Sequence, residues 1–163
     1  MGTYIFYTAT PLPGKSSLLE TRIRTGLGVM AQKGAKATRC WRVLMGDNAG
    51  NFGMGAKFED FEMALCSYEA AMQDPLFKEI TKQRWDDPAG KGVGPFMMRD
   101  LYGTIDLSAP VHVVRTYQMS RSKLTQAIEI MKEIAKNIIT PHVVSCCSSH
   151  CVSNGSGWGN LSL

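Results

Sequence analysis

"KATRCWRVLMGDNAGNFGMGAKFE", residues 36–59, decides the architecture of this chain. "KATRCWRVLM" reads as a strand, "GDNAGN" supplies a tight turn, and "FGMGAKFE" returns as the hairpin partner. The glycines here feed a strand. A phosphate-cradling loop feeds a helix whose N-terminus faces the anion, so these glycines serve the turn and close packing on the sheet.

Working outward, "TYIFYTA" near the amino terminus alternates apolar and polar positions and stops at "TPLPGK", a strand followed by a turn. Between it and the hairpin, Leu19, Ile23, Leu27 and Met30 recur at helical spacing. Ser17 with Glu20 predicts a capping box at the start of that helix, and Gly34 a left-handed stop at its end. After the hairpin, "EDFEMALCSYEAAMQ" predicts a helix with Phe61, Leu65, Tyr68 and Met72 on one face. "DPLFKEITKQRW" extends or restarts it after Pro75, a residue tolerated at a first helical position. "DDPAGKGVGP" reads as loop and "FMMRDLYGTIDL" as a fourth strand. The order is β-α-β-β-α-β, the ferredoxin-like pattern of an α+β fold with antiparallel strands and helices on one face.

The order then begins again. "VHVVRTYQ" predicts a fifth strand, and "SRSKLTQAIEIMKEIAKNI" a helix with Leu124, Ile128, Met131 and Ala135 as its stripe. A shift of roughly 106 residues lays Leu18 on Leu124, Cys40 on Cys146, Asn48 on Asn154, Phe52 on Trp158 and Gly53 on Gly159. Residues 1–106 are therefore expected to form one ferredoxin-like repeat, and 107–163 a partial second repeat with β-α-β-β order. The second copy lacks its last helix and strand. An exposed strand free of charge is a liability, which predicts either further chain beyond Leu163 or a partner chain that completes the sheet.

With 163 residues the chain suits one domain or two similar halves; 44% hydrophobic and 20% charged residues are ordinary for a folded globular protein. The net charge of +4 comes from 18 basic and 14 acidic residues spread along the chain, too dispersed for a nucleic-acid groove. An RNA-recognition module shares the β-α-β-β-α-β order, but its third strand needs a basic-Gly start with spaced aromatics, which "NFGMGAKF" lacks. No basic leader precedes the short apolar stretch at the amino terminus, and no apolar run reaches the ~20 residues of a membrane span. Five cysteines, an odd number, favour reduced thiols in the cytoplasm.

Three of those cysteines fall in "CCSSHC", residues 146–151. Thiolates and imidazole are good zinc ligands. On a strand, however, Cys147 and Cys151 share one face while Cys146 and His150 share the other, so they cannot converge without a bulge. The expectation is no metal site and no redox pair, with the cysteines behaving as small apolar residues.

Polar groups on strands are the best candidates for chemistry. Arg39, Trp41 and Arg42 on the second strand, with Arg99 and Tyr102 on the fourth, are expected to bind ligand. His112 and Arg115 on the fifth strand are the candidate proton and enolate handlers. No Ser-His-Asp order, paired carboxylates or His-Glu-x-x-His helix is present.

"RVLMGDNAGNFGMGAKFEDFEMALCSYEAAMQDPLFKEI", residues 42–80, resembles the dimeric α/β-barrel superfamily, in particular NIPSNAP-like and related uncharacterised proteins. The likeness lies in the Gly-rich hairpin, the strand ending in "KFED", and the step Met72-Gln73-Asp74-Pro75-Leu76-Phe77. Members of the superfamily include monooxygenases, haem-binding enzymes and small-molecule isomerases. The resemblance implies two sheets closing over a lumen, from tandem repeats or from two copies, with an unidentified small molecule held inside. It implies a homodimer or larger self-assembly. No cofactor is expected, and the dispersed charge and the lack of a long apolar run leave no nucleic-acid or membrane partner expected either. Two readings stand side by side. One is a small-molecule-binding or interaction protein; the alternative is a cofactor-independent monooxygenase or isomerase acting on an aromatic or polyketide-like substrate. A haem protein would need an axial ligand from His112, His142 or His150.

Overall fold

The computed structural model describes residues 2–103, 105, 107–108, 110–114, 116–137, 146–149 and 158–162. They fall into two compact units, Tyr4–Pro95 on the one hand and Met1–Thr3 with Phe96–Leu163 on the other.

In the first unit the elements are β1 (Thr3–Pro11), α1 (Ser16–Gln32), β2 (Ala37–Arg42), β3 (Phe52–Phe58), α2 (Phe61–Gln73), α3 (Pro75–Asp86) and the beginning of β4 (Gly90–Tyr102). The strands run in the order β2-β3-β1-β4 as a four-stranded antiparallel sheet. The β2–β3 ladder keeps a regular register from Ala37↔Lys57 to Arg42↔Phe52. Its connection turns through two left-handed glycines, Gly46 and Gly50, at φ 91° and 89°. The Gly50 N–H donates to the Val43 carbonyl at 2.8 Å and closes the loop.

Helix α1 lies on one face of this sheet. Ala9, Ile23 and Phe52 form a buried cluster, with Leu19, Leu27, Cys40 and Met54 packed against it. The helix ends in a Schellman motif: Ala35 N–H donates to the Met30 carbonyl at 3.1 Å and Gly34 N–H to the Ala31 carbonyl at 3.3 Å. Gly34 stands at φ 109°, which a β-carbon would resist, so the stop expected at this glycine is in place. Asp74 then links two helices. Its N–H donates to the Ala71 carbonyl at the end of α2, and its carboxylate accepts from Leu76 N–H at 3.0 Å to cap α3, where Pro75 takes the first position.

Four local expectations need correction. The capping box does not form. Helix α1 begins two residues early, with Lys15 at the N-cap and no side-chain bond, so Ser17 sits inside the first turn. Glu20 instead accepts from Arg24 at 2.6 and 2.9 Å. Helix α2 buries Ala64, Ser67 and Ala71, while Phe61, Leu65 and Met72 are exposed. Small side chains let the helix approach closely, as the near contact of Gly34 with Ser67 Oγ illustrates. The stretch expected to be loop up to Pro95 is already strand from Gly90, because a hydrogen-bonding ladder overrides its Gly-Pro composition. The fifth strand starts later than expected. Residues 111–114 carry no regular structure, and β5 spans Thr116–Ser120.

The second unit holds the end of β4, then β5, a 3-10 turn at Arg121–Lys123, α4 (Leu124–Asn137), β6 (Cys146–Ser149) and β7 (Trp158–Ser162). Its strand order is β4-β6-β7-β5. Helix α4 carries a strong apolar stripe, in which Leu124, Ile128 and Met131 are half-buried. Asp100 on β4 is 2% exposed; its carboxylate accepts from Gly2 N–H at 2.9 Å, and its own N–H donates to the Gly2 carbonyl at 3.0 Å.

Candidate functional site

The two faces of the first sheet differ sharply in chemistry. Ala9, Cys40, Phe52 and Met54 point toward α1, and strand alternation puts Arg39, Trp41, Gly53, Gly55, Lys57, Tyr4, Phe6 and Thr8 on the other side. On β4, a β-carbon at Gly90 would meet Leu19 and one at Gly92 would meet Arg84, both on helices, so Lys91 and Val93 belong to the open face as well.

Trp41 organises that open face. It stands directly across the ladder from Gly53. A β-carbon at Gly53 would lie 2.2 Å from Trp41 Nε1, and one at Gly55 would lie 3.4 Å from Cη2. The indole therefore spans both glycines, and its other neighbour is Phe6, with ring centroids 5.3 Å apart and planes tilted by 31°. Both rings are half-buried. Beside them Arg39 sits two residues along β2, opposite Gly55. Lys57 places its ammonium 5.6 Å from the centre of the Tyr4 ring. The nearest carboxylate past the end of β3, Glu59, is engaged by Lys36 at 2.9 Å.

The expected ligand residues are thus divided. Arg39 and Trp41 share the open face. Arg42 points to the helix side, where its guanidinium carbon lies 6.0 Å from the centre of the Phe52 ring. Arg99 is exposed on the part of β4 that belongs to the second unit. Tyr102 pairs with Cys146 through the backbone. His112 is exposed in the irregular segment 111–114, and Arg115, His142, His150 and Cys151 lie outside the described residues. Phe6 and Lys57 belong to the open face and went unnoticed in the sequence. Their signal is cross-strand: Gly-x-Gly on β3 faces Arg-x-Trp on β2, legible only once the hairpin register is counted.

The helix side carries a second polar contact. The Tyr7 hydroxyl donates to the Tyr68 hydroxyl at 3.0 Å. Burial, then the Tyr68 hydrogen bond, push the Tyr7 phenol well above its ordinary range, so it stays neutral. Burial likewise raises the Cys40 thiol, which packs against the Ala9, Ile23 and Phe52 cluster. Among the described residues no three His, Cys, Asp or Glu side chains gather to hold a metal. Cys146 and Cys147 lie on β6. Among the described residues no helix is long and apolar enough to cross a membrane.

No protein-family model and no curated protein matches this chain. Solved structures do. A candidate monooxygenase from Fusobacterium nucleatum is 7% identical, over 99% of this chain and 74% of that one, with a TM-score of 0.55. A candidate chlorite dismutase is 10% identical, over 99% and 78%, with a TM-score of 0.51. An uncharacterised NIPSNAP domain protein from Burkholderia xenovorans is 19% identical, over 58% and 94%, with a TM-score of 0.45. At such identities a shared fold carries no shared activity. The chain has the α+β, ferredoxin-like fold of the dimeric α/β-barrel proteins.

Proposed function

We propose that this chain is a small-molecule-binding protein whose ligand rests on the open face of the first sheet, against Trp41 and Phe6. The observation that carries the reading is the composition of that face. It presents two contacting aromatic rings and the cations of Arg39 and Lys57. Its strand positions hold no histidine, carboxylate or thiol, and residues 4–95 contain no histidine at all. A surface of this kind recognises and holds; it has no group that titrates near neutrality to shuttle a proton. That favours binding over the monooxygenase or isomerase alternative, whose proton handlers would have to come from His112 or Arg115.

A second copy of the chain shields the same face, giving a homodimer with the ligand in the lumen between sheets. The support is physical: half-buried Trp41 and Phe6 are large apolar groups on a face that no helix of their own unit covers. A thermal-shift screen of small organic molecules tests the binding reading, with Trp41→Leu as its control. Hits that stabilise the parent protein by several degrees and leave the variant unmoved support it; hits that stabilise both equally contradict it.

A further inference from the structure

We infer that the second copy joins through β2, edge to edge and antiparallel, about a two-fold axis at Cys40. The inference rests on the self-association proposed above and names the strand that forms its seam. β2 has β3 on one side and, among the described residues, no strand on the other. Val43 N–H donates to the Asn51 carbonyl at 2.8 Å, and the register runs unbroken from Arg42↔Phe52 to Ala37↔Lys57. Backbone groups alternate along a strand, so Ala37, Arg39, Trp41 and Val43 turn theirs to β3, while Thr38, Cys40 and Arg42 turn theirs outward. Edge strands are ordinarily blunted by proline, a bulge or a covering element. β2, "ATRCWR", has no proline and no shift in its register, which leaves a template for another strand.

The arginines of β2 select the register. A two-fold pairing of the outward groups centres on a single residue. Centred on Arg39, it sets arginine against arginine and Lys36 against Arg42 of the second copy. Centred on Trp41, it engages only the last residues of the strand. Centred on Cys40, it sets Thr38 opposite Arg42 and Arg39 opposite Trp41 of the second copy, so no cation of the strand faces another. The helix layer agrees. Glu20 and Arg24 on α1 bond to each other at 2.6 and 2.9 Å, and both act electrostatically on the Cys40 thiol, so they stand beside the axis. The two-fold lays this pair antiparallel on its copy, glutamate against arginine in both directions. Sheets twist across such a seam, and a curl toward the open faces is what the shielding of Trp41 and Phe6 requires.

Amide hydrogen exchange on the full chain, read residue by residue by NMR, tests the seam, with sedimentation velocity alongside. At concentrations where two chains associate, the Thr38, Cys40 and Arg42 amides should exchange as slowly as those of Arg39 and Trp41. Thr38→Pro removes an outward N–H and no bond to β3. It should keep native circular dichroism and protected Arg39 and Trp41 amides while shifting the protein to one chain. Arg24→Glu sets acid against acid across the axis and should weaken association roughly tenfold; adding Glu20→Arg restores the complementary pair and the affinity. If the chains associate, yet the Thr38, Cys40 and Arg42 amides exchange fast and Thr38→Pro still sediments as two chains, the seam is overturned while the self-association stands. If the parent is one chain at every concentration, the self-association falls and the inference falls with it. Should Thr38→Pro not fold, the exchange pattern of the associated parent decides alone: slow outward amides support the seam and fast ones overturn it.

Discussion

The indole of Trp41 occupies the space where its cross-strand partner Gly53 would otherwise carry a side chain: a β-carbon there would come within 2.2 Å of Nε1. Gly53 is not at a left-handed φ, so it is required for space and not for backbone freedom. Gly53→Ala should therefore displace the indole and cost about 1–3 kcal/mol, as overpacking does. Gly55→Ala, whose β-carbon would touch the ring edge at 3.4 Å, should cost less than about 1 kcal/mol. Urea denaturation followed by circular dichroism ranks the two, and equal costs would contradict the packing described.

Gly34 makes the opposite case. Its φ of 109° is what an L-residue avoids, and its β-carbon would also press on Ser67 Oγ at 3.3 Å. Gly34→Ala should lower stability by about 1–2 kcal/mol or more, through loss of the Schellman stop on α1. Denaturant midpoints measure this directly.

Acid should loosen the first unit through two carboxylates. The Lys33 ammonium donates to Asp74 at 3.0 Å and, with the Leu76 N–H, holds its carboxyl below the usual range. Lys15 does the same for Asp87, with Arg22 adding to it. A folded-state value below the unfolded one means that the stabilisation is full above about pH 4 and is lost as pH falls through the folded value. Melting temperature should thus fall more gently with acid in Asp74→Asn, which retains the cap but not the charge. Scans from about pH 6 to about pH 2.5 provide the comparison, and superimposable acid limbs for parent and variant would refute it.

Tyr7 governs the alkaline side. Its folded value is raised by burial and then by Tyr68, so the contribution is present below about pH 10 and lost as pH climbs above it. Ultraviolet titration should show at least one of the five tyrosines resisting ionisation until the protein unfolds. Tyr7→Phe should abolish that lag and cost about 0.5–1.5 kcal/mol.

Much of the fold was legible because periodicity and turn chemistry are local. The hairpin, the stop at Gly34 and the restart at Pro75 each follow from a few neighbouring residues. The failures were contests that local signals cannot decide. Ladder bonding turned "GKGVG" into strand, and close packing chose Ala64, Ser67 and Ala71 over the larger stripe of α2. The site was half legible. Arg39 and Trp41 were named, but the grouping with Arg42 ignored that neighbours on a strand face opposite ways. Phe6 and Lys57 come from other strands, and only tertiary register brings them to Trp41 and Tyr4.

Self-association tests the shielding of the open face. Sedimentation velocity should give the mass of two chains, and Trp41→Glu, which puts a carboxylate among the aromatic rings, should shift the protein toward one. A parent protein that sediments as one chain at all concentrations contradicts the dimer.

The most direct measurement uses a protein whose only tryptophan is Trp41, made with Trp85→Phe and Trp158→Phe. Titrated with 1-anilinonaphthalene-8-sulfonate, Trp41 emission should fall in a saturable way while sensitised dye emission rises in step. Dye that lights up while Trp41 emission stays constant would mean that it binds elsewhere, and that the face built on Gly53 and Trp41 is not the binding surface.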